Sequence, residues 1–214
     1  YPGRLADRTR ETCRALKPMH PVTHLLVGWI LAESAHLGKR DRALVTLAGC
    51  VPDLDGLGVF ADLLTEHSNH PLYLYDAYHH VLLHNAATGL LLGILALSLG
   101  RRRVATALLV LLSFHLHLFG DLVGSRGPDG YQWPIPYLEP FSGAWQLAWS
   151  HQWGLKAWPN VTLTIGLLAL TLYWSWRRGR SPVEILSTRA DASLARTLRA
   201  RFGEPLREGG RPEA

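Results

Sequence analysis

Residues 104–123, VATALLVLLSFHLHLFGDLV, decide how this 214-residue chain folds. The stretch is apolar over about the 20 residues that a helix needs to cross a bilayer core. His117 and Asp121 interrupt it near its end, four residues apart, so both side chains lie on one helix face. Ionisable groups inside an apolar helix are costly and mark functional positions. The same stretch therefore predicts a membrane-spanning helix and a functional site near its end.

The composition of the whole chain supports a membrane protein. The chain is 48% hydrophobic and only 18% charged, whereas soluble globular chains average about 25% charged residues. This apolar fraction excludes a disordered chain, and two cysteines exclude a disulfide scaffold. The excess positive charge lies at the two ends of the chain, so we expect no nucleic-acid partner.

Apolar runs outside 104–123 predict further helices. They cover residues 22–32, 43–51, 81–99 and 161–176. The runs 81–99, 104–123 and 161–176 predict full-length spans, whereas 22–32 and 43–51 are short. Gly89 and Gly93 allow another helix to approach closely. Without an alternating strand pattern, the fold class is predicted as all-α: a helical membrane bundle of about five hydrophobic helices with a basic C-terminal helix.

Composition divides the chain into three parts. Residues 1–18 are polar and Arg-rich and precede Met19, so we interpret them as a non-native or disordered leader. Residues 19–176 form the predicted membrane-embedded domain. Residues 177–214 are predicted to be a cytoplasmic basic tail. Its apolar positions recur at helical spacing up to Phe202, which predicts a helix. This helix either lies on the anionic inner leaflet or frays in solvent. Residues 203–214 are predicted to be disordered.

The distribution of basic residues predicts the orientation in the membrane. Within 19–176, most bases lie in two short loops, one at 39–42 and one at 101–103. The positive-inside rule places both loops in the cytoplasm. The acid-rich connections 52–80 and 124–160 then lie on the other side. We expect a multi-pass protein of the bacterial inner (plasma) membrane.

Histidines and aspartates concentrate at the non-cytoplasmic ends of four predicted helices. A metal site requires such convergence, and imidazole with carboxylate but no thiolate suits Zn most, with Mn or Fe as alternatives. The predicted metal ligands are His24, Asp53, His79, His80, His84, His117 and Asp121. We expect one to three divalent ions on the non-cytoplasmic side.

Some of these residues have a simpler interpretation. His24 near a helix start could be a cap or a packed polar residue, and Asp53 with Asp55 could form a turn and an N-cap. His115 lies two residues from His117 and points to nearly the opposite face, which favours a hydrogen bond to another segment over metal binding.

Four segments resemble, in order and spacing, the motifs of the bacterial inner-membrane metal-dependent hydrolases, a family with an SOS-regulated member. They are Thr23-His24, Pro52-Asp53-Leu54-Asp55, His79 to Asn85, and His117-Leu-Phe-Gly-Asp121. The resemblance covers roughly residues 19–160 and implies metal ligation by His24, Asp53, His84, His117 and Asp121, with Asp55 and His79 nearby. The match has one departure: the usual His-Arg-x-x-Thr-His-Ser reads His79-His80-Val-Leu-Leu-His84-Asn85 here, so the Arg and the Thr of the motif are lost. The family is also distantly similar to zinc-dependent phospholipases C.

The resemblance and the ligand chemistry together predict a membrane-bound, metal-dependent phosphoester hydrolase. Asp55 is the expected bridging ligand or base, and Arg126 the expected donor to a phosphate oxygen. The predicted site lies at the depth of the lipid headgroups, which favours a lipid or lipid-linked phosphate as the phosphate-containing substrate. The lipid bilayer is the other expected partner. The alternative is a non-catalytic metal-binding membrane protein, either a transporter or a sensor; a third is a structural protein with a histidine-rich outer face.

Overall fold

The structure is a computed structural model that describes residues 20–127 and 130–205, and helices make up its regular structure. The α-helices are α1 (His20–Ser34), α2 (Lys39–Ala48), α3 (Gly58–Thr65), α4 (Leu74–Tyr78), α5 (Ala86–Leu99), α6 (Arg103–Gly124), α7 (Trp158–Arg178) and α8 (Thr188–Phe202). Two 3₁₀ helices cover Pro52–Leu57 and Pro182–Ile185. The described part of the chain contains no β-strand, which confirms the all-α prediction. The predicted leader 1–18 and most of 203–214 lie outside the described residues.

Helix α6 is the centre of the bundle. It packs against α5, α2 and α1, and α7 packs against α1. The two core clusters bury Val45 with Val110, and Phe114 with Leu118 and Ile135. Gly89 lets α5 approach α6, since a Cβ atom there would lie 2.9 Å from Phe114 Cε1.

The membrane spans differ from the prediction. Among the described residues, only α6 is both long and apolar enough to cross a bilayer; α2 with residues Pro52–Thr65, bent by 58°, could form a second span. Helix α7 has 21 residues but is less apolar. Helix α5 has 14 residues, which correspond to about 21 Å against a bilayer core of about 30 Å. The five-helix hydrophobic bundle is therefore not confirmed.

The prediction of a full-length helix over 81–99 is wrong in its first five residues. Asn85 is the N-cap of α5, and its side-chain oxygen accepts a hydrogen bond from Thr88 N at 2.9 Å. His80 has φ +67°, which a right-handed helix does not allow. The apolar residues 81–83 therefore lie in turns that precede the helix.

The C-terminal tail packs onto the bundle through buried ion pairs. Glu33 of α1 is completely buried and lies 3.1 Å from Arg178 Nη1 and 2.9 Å from Arg180 Nη2. Arg42 of α2 donates from Nε and Nη2 to the two carboxylate oxygens of Glu184, both at 2.7 Å. These contacts position α8. Leu186, which precedes α8, and Phe202 at its end remain exposed.

The bundle has two chemically different ends. Helices α1 and α6 run in opposite directions, so the start of α1, the end of α2 and the end of α6 meet at one end. This end carries the histidines and aspartates, and the other carries the 39–42 and 101–103 bases. Arg103 and Asp121 are about 27 Å apart along α6.

Candidate metal centre

Four side chains from three segments meet at the histidine-rich end of the bundle. Asp53, His84, His117 and Asp121 each offer one ligand atom, and these atoms all lie within 4.8 Å of one another. Asp53 comes from the 3₁₀ helix after α2, His84 from the turn before α5, and the other two from α6. Their spacing fits a single cation, so the sequence-predicted convergence of these four exists in the fold.

The local sequence explains how each segment delivers its side chain. Helix α2 ends at Ala48, shortly before Pro52, which starts the 3₁₀ helix that carries Asp53. Asn85 also donates from Nδ2 to Leu82 O at 2.8 Å, which fixes the turn holding His84.

The hydrogen bonds of the two histidines leave their inner nitrogens facing a shared point. His117 Nδ1 donates to Gly49 O at 2.8 Å, and His84 Nδ1 donates to Asp55 Oδ2 at 2.9 Å. A neutral imidazole then has its lone pair on Nε2. The two Nε2 atoms lie 3.2 Å apart, and they lie 2.9 Å (His117) and 3.2 Å (His84) from Asp121 Oδ2. Two nitrogen lone pairs and a carboxylate at this spacing can bind a proton or a metal cation between them.

Other buried atoms around the cluster fit the same interpretation. Asp53 Oδ1 lies 3.8 Å from His117 Nε2, while Asp53 Oδ2 is buried and has no hydrogen-bond partner among the described residues. His24 Nε2 is 3.3 Å from Asp121 Oδ1. A Cβ atom at Gly120 would lie 2.9 Å from His24 Cε1, so the glycine allows this approach. The residues therefore fit a divalent cation.

Asp55 holds two imidazoles in place. Its Oδ1 accepts from His79 Nδ1 and its Oδ2 from His84 Nδ1, both at 2.9 Å, and Leu83 N donates to Oδ2 at 3.3 Å. Asp53 and Asp55 leave the 3₁₀ helix in different directions, one towards the cluster and one towards these rings. A carboxylate behind a ligating histidine raises its basicity and fixes its orientation.

His79 and His80 form the aromatic side of the site. The ring of Trp133 lies 5.6 Å from His79 and 5.5 Å from His80, between centroids, and Tyr75 stacks on His79 at 4.4 Å. His80 Nε2 is 3.9 Å from Asp121 Oδ2, at the edge of the cluster. Burial and the neighbouring His79 and His84 lower the pKa of His80 well below its usual value, so His80 is neutral at pH 7.

The pKa of His84 shifts in the opposite direction. Burial alone would lower it, but hydrogen bonds and charge from Asp121 and Asp55 outweigh burial and raise the pKa to about 9. In the metal-free protein the two carboxylates thus hold a proton on His84. A bound divalent cation would compete with that proton.

Two further sequence candidates lie away from the four donors. Arg126 is exposed, and its Nε donates to Gly130 O at 3.2 Å. His115 is exposed and hydrogen-bonds to Tyr137 Oη through Nε2 at 2.9 Å, a contact between segments. Arg126 as a phosphate donor stays a prediction.

Sequence reasoning missed three contributors to the site. Gly49 acts through its backbone carbonyl, which no side-chain pattern reveals. Tyr75 stacks on His79 from a connection that has no apolar period. Gln152 is buried and donates to Asp121 O at 2.8 Å, which ties the loop after α6 to the end of that helix.

Comparison with known proteins identifies the family and nothing more specific. No curated protein and no solved structure matches the chain. The profile of the YdjM inner membrane protein family matches residues 19–188, which include every donor of the candidate metal centre. This match covers well over half of the sequence, and the chain belongs to the YdjM inner membrane protein family.

Proposed function

We propose that this protein is a membrane-bound, metal-dependent hydrolase that cleaves a phosphoester in a lipid or lipid-linked phosphate. The observation that carries the proposal is the convergence of two imidazoles and two carboxylates within 4.8 Å. The sequence resemblance to membrane metal-dependent hydrolases supports the reaction class. Membership of an inner membrane protein family supports the location.

Asp53, His84, His117 and Asp121 would hold the cation, with His24 beside Asp121. A divalent cation there would polarise the scissile group and lower the pKa of a bound water from 15.7 to about 7. The donor set contains nitrogen and oxygen but no sulfur, which fits zinc, and manganese or iron as alternatives.

The two aspartates of the 3₁₀ helix would have different tasks. Both oxygens of Asp55 already accept hydrogen bonds from His79, His84 and Leu83 N. We therefore assign Asp55 a positioning role instead of the role of bridging ligand or base that its sequence position suggested. Asp53 Oδ2, which has no partner among the described residues, is the carboxylate oxygen available to accept a proton from water.

An apolar surface beside the site supports a lipid substrate. The segment that follows Asp53 exposes large apolar side chains on one side. They are Leu54, Leu57, Phe60 and Leu64, between 51% and 87% exposed. A lipid whose phosphate reached Asp53 could lay its acyl chains along this segment. Arg126, in the loop after α6, would then be a candidate donor to the phosphate.

The proposal also includes the side of the membrane that the metal centre faces. The site lies at the end of the bundle opposite Lys39, Arg40 and the 101–103 bases. By the positive-inside rule, the basic end is cytoplasmic and the metal centre faces the other side.

Close packing beneath the site argues against transport as the competing function. A Cβ atom at Gly49 would lie 2.8 Å from Ser113 Oγ, and one at Gly28 would lie 2.9 Å from the same atom. Ser113 and Thr106 are fully buried on α6. An ion leaving the site towards the cytoplasm would have to pass this contact.

Metal analysis with a phosphodiesterase assay tests the proposal. Purified protein should contain bound divalent metal and cleave bis-p-nitrophenyl phosphate or a phospholipid panel, and H117A and D121A should abolish the cleavage. His115→Ala is the matched control, because His115 lies on the same helix and bonds to Tyr137 instead. Metal binding without cleavage of any phosphoester would replace the enzyme with a binding protein.

A further inference from the structure

A second candidate site lies at the basic end of the bundle, far from the metal centre. A cavity of about 350 Å³ opens between the start of α2, the turn before α6 and the 3₁₀ helix Pro182–Ile185. Its lining consists of Gly38, Lys39, Arg40, Ala43, Arg101 and Ile185. Three of these six residues are cations, and none is an acid.

The cations around the cavity are available to a ligand. The side chains of Arg40 and Arg101 are exposed and form no ion pair within residues 20–127 and 130–205. Lys39 donates from Nζ to Thr188 Oγ1 at 2.6 Å, so its charge is not neutralised by this contact. Three positive charges around one cavity attract an anion.

The carboxylate of Asp41, the residue after Arg40, is directed at backbone N–H groups and not at these cations. Asp41 is buried, and its two carboxylate oxygens accept hydrogen bonds from the backbone N–H groups of Arg101 and Arg102 at 2.8 and 3.1 Å. These bonds hold the turn that presents Arg101. The first backbone N–H groups of α2, after Gly38, add positive potential at the same place.

The surroundings favour a lipid headgroup over a soluble anion. Ala43 and Ile185 give the cavity an apolar part. Leu186, next to Ile185, is 91% exposed, and Val104 at the start of the candidate span is 66% exposed. Cationic side chains flanked by exposed apolar side chains match a molecule with an anionic head and an acyl tail.

We propose that this cavity binds the phosphodiester headgroup of an anionic phospholipid of the cytoplasmic leaflet. Lys39, Arg40 and Arg101 contact the phosphate, and Leu186 lies against the acyl chains. The bound lipid bridges α2, the α5–α6 turn and the tail, so it stabilises the docking of α8. This proposal uses no residue of the metal centre and does not require hydrolase activity; it shares with the proposed function only the orientation in the membrane.

Lipid titration of the full-length protein in neutral detergent tests the proposal. Binding of phosphatidylglycerol is measured by native mass spectrometry, with phosphatidylcholine as the uncharged comparison. The double variant R40Q/R101Q should weaken phosphatidylglycerol binding by roughly 25-fold, since each removed base contributes about a five-fold factor. Phosphatidylcholine binding should not change.

The matched control is R102Q/R103Q, which removes two charges from the same turn but from outside the cavity lining. Its phosphatidylglycerol affinity should fall by no more than about five-fold. The variant R40K/R101K keeps the charge and should bind like the original protein, and circular dichroism verifies that all variants fold. Equal losses in the two glutamine variants would overturn the site. Full competition by glycerol 3-phosphate or inorganic phosphate at millimolar concentration would overturn the lipid assignment.

Discussion

Replacement of Asp55 by asparagine should weaken metal binding strongly although Asp55 is not among the four converging donors. The carboxylate accepts hydrogen bonds from His79 Nδ1 and His84 Nδ1, both at 2.9 Å. An asparagine keeps the volume but loses the charge, and its amide nitrogen cannot accept from a ring N–H. Removal of such a partner costs about 10–100-fold in metal affinity. Because Asp55 serves two rings, we expect the upper part of this range.

Asp41 provides a matched control for this substitution. Its carboxylate is also buried, and it accepts two hydrogen bonds, from Arg101 N at 2.8 Å and Arg102 N at 3.1 Å, but it lies at the other end of the bundle and holds no imidazole. The assay is zinc titration of metal-stripped protein in detergent by competition with a chromogenic chelator, with thermal unfolding of the metal-free forms as the measure of folding. Asp55→Asn should raise the Kd by roughly 100-fold, and Asp41→Asn should leave it unchanged in folded protein. A Kd within two-fold of the original for Asp55→Asn, or equal losses in both variants, would refute the reasoning.

Three further predictions concern the glycine under His24, the buried carboxylate of α1 and the proton on His84. Gly120→Ala would place a Cβ atom 2.9 Å from His24 Cε1, so metal affinity should fall, whereas Gly166→Ala, with nothing within 4 Å, should not change it in the same titration. Glu33→Gln removes the partner of Arg178 and Arg180 and should lower the free energy of unfolding by about 3 kcal/mol. The control Glu204→Gln changes an exposed carboxylate and should lower it by less than about 1 kcal/mol. Chemical denaturation measures both values, and similar losses in the two variants would contradict the prediction. The pKa of His84 is raised to about 9, so the metal-free protein holds a proton there at pH 7 that a cation must displace. Zinc affinity should therefore rise from pH 6 to pH 9, and calorimetry in two buffers with different ionisation enthalpies should detect proton release at pH 7. A zinc affinity that does not depend on pH would contradict this prediction.

Helix α6 and the pair His117 and Asp121 could be predicted because they depend on local information. The length of the apolar run defines the helix, and the spacing of four residues places both side chains on one face. The convergence with Asp53 and His84 followed from alternating helix directions. These features need only chain order and helical geometry.

The start of α5 could not be predicted from hydropathy. Residues 81–83 are apolar and look like the beginning of the span, but Asn85 caps the helix only after them. The different contacts of Asp53 and Asp55 also escaped prediction, since both follow the same proline and only the packed 3₁₀ helix directs one to the cluster and the other to His79 and His84.

The docking of the tail required contacts that sequence patterns do not contain. The basic residues of the tail suggested a membrane surface, and the helix over 188–202 exists. Its attachment depends on Glu33, which is 145 residues away from Arg178 in the chain. Such a pair is visible only after both helices are packed.

Anomalous diffraction at the zinc edge, from crystals of zinc-loaded protein, tests the central claim most directly. The account predicts a peak bounded by His84 Nε2, His117 Nε2 and the carboxylates of Asp53 and Asp121, with zinc–nitrogen distances of about 2.0–2.1 Å. A peak bound by other residues, or no peak at saturating zinc, would contradict it.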